Sequence, residues 1–159
     1  MIAHAIPYSN LLTDASSTQW GRQRDAQRKR VYDSENSIKS TKAKTFSLRA
    51  AQALVDRITD SDYWQLIPNT PQSIRVIHST RAFRFSRAHL SKDEIHLAYW
   101  GFTYKTILHE LAHFLVPEPH AHHGTVFCAR LLQLYTIILG TRCAARLRLS
   151  FDLNRVTYK

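Results

Sequence analysis

The sequence predicts an α+β domain, and three observations carry that expectation. Several stretches repeat their apolar residues at the spacing of one helix face. A central stretch, residues 73–100, alternates apolar and polar residues over short runs, as half-buried strands do. No apolar run approaches the ~20 residues that a bilayer requires, so no membrane segment is expected.

The elements come in chain order. Residues 1–20 show no period and hold Pro7, Ser16, Ser17 and Thr18, which reads as an N-terminal arm. Residues 21–159 are expected to form one domain, because a chain of 159 residues supports a single core. Residues 22–37 are polar and helix-compatible, with Val31 and Ile38 seven apart. Ser47 can cap a second helix, in which Leu48, Ala51, Leu54, Val55 and Ile58 share a face. That helix ends near residues 59–61, and Pro68 and Pro71 close the next loop. Three short strands are expected over residues 73–78, 82–86 and 93–100. Thr103 starts a helix through Ile107, Leu108, Leu111 and Leu115 that stops before Pro117 and Pro119. Another helix covers residues 125–139, with Phe127, Leu131, Leu134, Tyr135 and Ile138 on one face and Gly140 as its stop. Residues 142–153 form the last.

Composition narrows the class. Hydrophobic residues make up 44% and charged residues 21%, the balance of an ordinary globular chain. Cys128 and Cys143 are too few for a disulfide framework and read as small buried apolar groups. Residues 1–10 lack a basic segment followed by an apolar one, so no secretory signal is read, and a cytoplasmic location is expected. The net charge of +10 comes from 22 basic and 12 acidic residues, with Arg22, Arg24, Arg28, Lys29, Arg30, Lys39, Lys42 and Lys44 concentrated in residues 22–44. Such an excess favours polyanions by releasing counterions. A solvated helix face is the alternative, and no nucleic-acid module is recognisable.

The chemistry lies in His109-Glu110-Leu111-Ala112-His113. Residues four apart share a helix face, so His109 and His113 can present two imidazoles to one cation. Glu110 then lies beside the ion as a carboxylate that accepts a proton from water without binding metal. Zinc (Zn2+) suits this set, and it lowers the pKa of bound water to about 7. The match falls on an amphipathic helix directly after a strand, which distinguishes it from a chance pentapeptide.

The third ligand separates the zincin classes. One large class needs Gly at 116 and His at 119, where this chain has Val116 and Pro119. A second needs a Glu on a later helix, and the only acid beyond Glu118 is Asp152. The chain instead offers His120, His122 and His123 in a Pro-containing turn. His123 is favoured, because it precedes Gly124 at the start of the next helix; His120 and His122 are the alternatives. His4, His78, His89 and His96 are scattered and read as surface or strand-face residues, although the strand of His96 leads into the metal helix. Tyr104, His96 and the tyrosines near the C-terminus are candidates to stand over the ion.

His109-Glu110-x-x-His113 with a downstream His123-Gly124-x-x-Phe127 resembles the SprT-like and related minimal zincins. A closer likeness is to short bacterial metallohydrolases, mainly of actinobacteria and their phages. It extends to Arg24-Asp25-Ala26-Gln27-Arg28 with Val31-Tyr32, and to residues 51–57. The resemblance implies a zincin-like fold, with a small sheet of three or slightly more strands, packed with helices, and an active-site helix that carries the motif. It also implies that the strand before the metal helix, residues 93–100, is an edge that pairs with an extended peptide. The function expected is zinc-dependent hydrolysis, foremost of peptide bonds in a peptide or protein substrate, with Glu110 as general base. The alternative is a nucleic-acid-associated or non-catalytic interaction protein with a structural zinc.

Overall fold

The described residues of the central alternating stretch fold into a three-stranded sheet, and helices cover one of its faces. The computed structural model describes residues 17–38, 45–79, 85–118 and 120–159, with side chains from Gln27 onward in the first of these. Strands β1 (Arg75–His78), β2 (Arg87–His89) and β3 (Glu94–Leu97) lie in the order β1-β3-β2. β1 runs parallel to β3, with Val76 opposite Ile95, and β2 runs antiparallel to it, with Ala88 opposite Ile95. Side chains alternate across a sheet. Val76, Ile95 and Leu97 therefore enter the core on one face, while Arg75, Glu94 and His96 form a polar cluster on the other. The architecture is α+β.

Two expectations about the strands are corrected. The strand before the metal helix is central, because β1 and β2 pair with its two sides, so β2 and not β3 is the edge next to that helix. The second strand occupies Arg87–His89, and its turn, Leu90–Lys92, is a short 3-10 segment. Residues 82–84 of the expected strand lie outside the described residues. The third strand is shorter than its alternation suggests, because Tyr99–Gly101 turn sharply with Tyr99 and Trp100 turned out to solvent.

The described residues form six helices: α1 (Ser17–Ser37), α2 (Leu48–Thr59), α3 (Asp62–Gln65), α4 (Tyr104–Phe114), α5 (Thr125–Leu139) and α6 (Thr141–Leu153). Ser47 caps α2 by accepting from the Ala50 N–H, a contact typically worth about 1 kcal/mol. Thr103 caps α4 in the same way through Thr106. Gly140 separates α5 from α6 at φ 86°, a backbone conformation that a side chain would strain. α3 is a single turn inside the expected loop, too short to show a period. Ser61 caps it, and the buried Trp64 indole pins it by donating to the Pro71 carbonyl at 2.9 Å.

α1 starts at Ser17, earlier than the arm reading placed it, and residues 1–16 lie outside the described residues. It is polar, yet Gln27, Val31, Ser34 and Glu35 are buried along one face. Specific hydrogen bonds replace apolar packing there. Ser34 and Ser37 bond Ser150 of α6, and Gln27 exchanges two bonds with Thr157. Lys29 is exposed on the opposite face, where it pairs with Asp33 at 2.7 Å, and Arg28 is exposed on the flank beside Tyr32. The side chains of Arg22 and Arg24, and all of Lys39, Lys42 and Lys44, lie outside the described residues. No described helix is long and apolar enough to cross a membrane.

Candidate metal centre

α4 brings its two histidines to one face, and the turn into α5 brings a third. Ring nitrogens of His109, His113 and His123 all lie within 4.8 Å of one another. The Nε2 atoms of His109 and His123 are 3.3 Å apart. Two nitrogens each bound to one tetrahedral zinc ion at about 2.0–2.1 Å would lie about 3.3–3.4 Å apart, so this pair has the required spacing. The Nδ1 of His113 is buried with no hydrogen-bond partner among the described residues. Three converging imidazoles with a nitrogen left unsatisfied suit a borderline cation such as zinc.

Aromatic rings hold these imidazoles in place. Phe127, one turn into α5, packs at 4.7–5.0 Å from all three rings. Tyr32 of α1 stacks on His109 from the other side at 4.8 Å. The 121–124 turn fixes His123: the Gly124 N–H donates to the Ala121 carbonyl, and a Cβ at Gly124 would sit 3.1 Å from that of Ala121. The Cys128 thiol donates to the His123 carbonyl at 3.8 Å, and burial pushes that thiol up to about 12. Cys128 therefore stays protonated and supports a ligand instead of being one. His120 and His122 lie outside the three-histidine group, although His122 approaches His113 to 5.7 Å between rings. Both are exposed.

A buried carboxylate that the sequence pattern did not flag completes the support. Glu35 of α1, 2% exposed, lies 2.7 Å from Nδ1 of His109. An acceptor there fixes the proton on Nδ1 and turns Nε2 toward the other histidines, the usual carboxylate–histidine–metal relay. Tyr135, buried in α5, faces the same carboxylate. One signal was present: Glu35 lies four residues after Val31 and three before Ile38, an acid in the stripe those two apolar residues define.

Electrostatics set the protonation states. Burial, and after it the neighbouring histidines, holds His113 well below the usual histidine value, and burial with His109 holds His123 at about 3. Both are neutral, the form that binds metal. Burial also works against a proton on His109, but Glu35 outweighs it and raises the pKa. Glu110 is 5% exposed, and burial raises its carboxyl although His109 and the Ala88 backbone N–H oppose the shift. Its carboxylate does not belong to the three-histidine group.

Two cavities flank Glu110, of about 720 and 420 Å³. Arg28, Tyr32, Phe85, Ser86 and Glu110 line both. Tyr32 and Arg28 thus occupy the wall over the histidines that the sequence left to Tyr104, His96 or the C-terminal tyrosines. Tyr104, His96 and Tyr158 are engaged elsewhere, Tyr104 edge-on against Phe46, His96 bonding Glu94 and Tyr158 bonding Asp152, while Tyr135 faces Glu35. His78 packs on Phe102 and His89 on His96, while His4 lies outside the described residues. No family model, curated protein or solved structure matches the chain significantly.

Proposed function

We propose that this chain is a zinc-dependent hydrolase with a zincin-like arrangement, foremost a metallopeptidase. The observation that carries the reading is the pairing of three converging imidazoles, two of them held neutral by burial, with a buried carboxylate that stands beside them and faces an open cleft. His109, His113 and His123 would hold the ion. When bound, zinc supplies Lewis acidity to water and to a carbonyl oxygen.

The chain's own residues supply the rest. Glu110, its basicity increased by burial, accepts the proton of the attacking water and returns it to the leaving amine nitrogen. Tyr32, whose phenol burial and Glu110 raise, stays protonated and offers a donor at the cleft wall. Glu35 keeps the His109 ring in the ligating tautomer. The outer edge of β2 runs beside Glu110 and offers backbone groups to an extended peptide.

A purely structural ion would be expected in a closed sphere. Among the described residues no fourth His, Cys, Asp or Glu joins the group, which supports an open catalytic position. The decisive experiment is metal analysis of purified protein together with hydrolysis of a protein substrate by wild type and Glu110→Gln. One zinc per chain in both, with turnover lower by about 10²–10⁴ in the variant, is the expected result. Undiminished turnover in Glu110→Gln would overturn the mechanism, and a fourth protein ligand found by X-ray absorption would favour the structural role.

A further inference from the structure

The cleft does not end at the metal centre. A third cavity, of about 820 Å³, shares Leu90 and His113 with the one that holds His123. The three therefore lie side by side along one groove-like surface, with Glu110 between the first and second and His113 between the second and third. Residues of the β2 segment line all of it: Phe85 and Ser86 at one end, Ala88 at the centre, Leu90 at the other. At about 3.3 Å per residue, that edge is matched by roughly six residues of an extended chain. A groove open on both sides of the reacting centre suits an internal segment better than a chain end.

Its two ends differ in chemistry. Arg28, Lys29 and Lys105 stand at the first end with the exposed rings of Phe85 and Trp100. Lys29 is paired with Asp33. Lys105 donates to the neutral Asn36 amide at 2.6 Å and pairs with no carboxylate among the described residues, and the Arg28 guanidinium lies over the Tyr32 ring at 5.7 Å. Of the two described carboxylates lining this end, Glu35 is bound to His109, which leaves Glu110. The far end mixes apolar side chains such as Ile67 and Val116 with the polar Asn69 and Thr70, and its charges are Asp93, Glu118 and a single Arg130. A nucleic-acid backbone carries a phosphate at every step and would meet those acids. A polypeptide can be acidic on one side and uncharged on the other.

We infer that the groove selects an internal polypeptide segment with acidic residues on one side of the scissile bond, toward Arg28 and Lys105, and residues without negative charge on the other. This rests on the peptidase reading above for the chemistry, but its recognition part can be tested separately. The probes are fluorescently labelled acidic–uncharged peptides in both chain directions, their lysine-for-glutamate counterparts, and a single-stranded DNA oligonucleotide. Each is titrated against zinc-loaded Glu110→Gln protein, then against the same protein carrying Arg28→Glu or Lys105→Glu. Circular dichroism and zinc content serve as checks of folding. In at least one direction the acidic peptide should bind about tenfold tighter than its lysine counterpart, and each charge reversal should abolish that preference. Equal binding of the two peptides, a preference that survives both reversals, or displacement of the peptide by the oligonucleotide at lower concentration would each overturn the inference. Binding with the expected preference but no cleavage by wild-type enzyme would instead leave the recognition standing and remove the peptidase reading.

Discussion

The candidate metal centre has two halves of different origin. One half, from α4, the loop after it and α5, consists of side chains close in sequence: His109 and His113 on one turn of helix, then His123 at the end of the connecting loop and Phe127 in the first turn of α5. The other half comes from α1, where Glu35 reaches His109 across 74 positions of chain and Tyr32 stacks on the same ring. The first half is assembled by local helix geometry and apolar packing. The second depends on a polar helix held by buried hydrogen bonds from Gln27, Ser34 and Ser37 to the C-terminal region. On the proposed reading, the ligand half would decide whether an ion binds at all, and the α1 half how tightly it is held.

The largest effect should come from changes in the ligand half. His109→Ala or His123→Ala should abolish stoichiometric zinc, measured by elemental analysis after dialysis against a weak chelator. His120→Ala and His122→Ala should retain it, because those side chains are exposed and outside the group. Full zinc in His123→Ala with loss in His122→Ala would reassign the third position and break the contrast between the halves at its start.

A smaller effect is expected from α1. Glu35→Ala removes the acceptor on His109 Nδ1 while leaving all three imidazoles, and should weaken zinc binding by about 10–100-fold. Glu35→Gln keeps an acceptor without the charge, so its loss should be smaller. Competition with a chromophoric chelator reads both. Wild-type affinity in a folded Glu35→Ala protein would mean that the α1 half only packs against the site.

The same contrast explains what was legible in the sequence. α2, α4, α5 and α6 bury apolar residues at helical spacing, so their periods and caps could be read directly, down to Ser47 and Thr103. The histidine pair was legible because helix geometry alone places residues four apart on one face. The buried face of α1 was not, because Gln27, Ser34 and Glu35 occupy positions where a core helix would carry apolar side chains. Strand order was also hidden. Alternation identifies a strand and its inward face, but not its neighbours, so β3 passed for an edge when it is the centre. Nor could sequence tell the two true edges apart. Gln52 closes β1 by accepting from the Val76 N–H and donating to the Ile74 carbonyl, whereas β2 runs along the groove.

The smallest expected effect lies outside both halves and serves as their control. On the polar face of the sheet Glu94 bonds His96 at 2.8 Å and also pairs with Arg75. The His96 contact, then Arg75, holds its carboxyl at about 2, below the ordinary value of 4.5. A carboxylate whose pKa is lower in the folded state stabilises the fold fully above its unfolded value, and that contribution disappears as pH falls through the folded one. The window is therefore about pH 4.5 down to 2. In metal-free protein, chemical unfolding across that range should show a shallower loss of stability for Glu94→Gln than for wild type. The two should be offset by a constant amount above about pH 5. Because Glu94 touches neither the ligands nor α1, zinc affinity at neutral pH should be the same in both. A Glu94→Gln protein with weakened zinc binding would show that the sheet takes part in holding the site, and the division into two halves would have to become three.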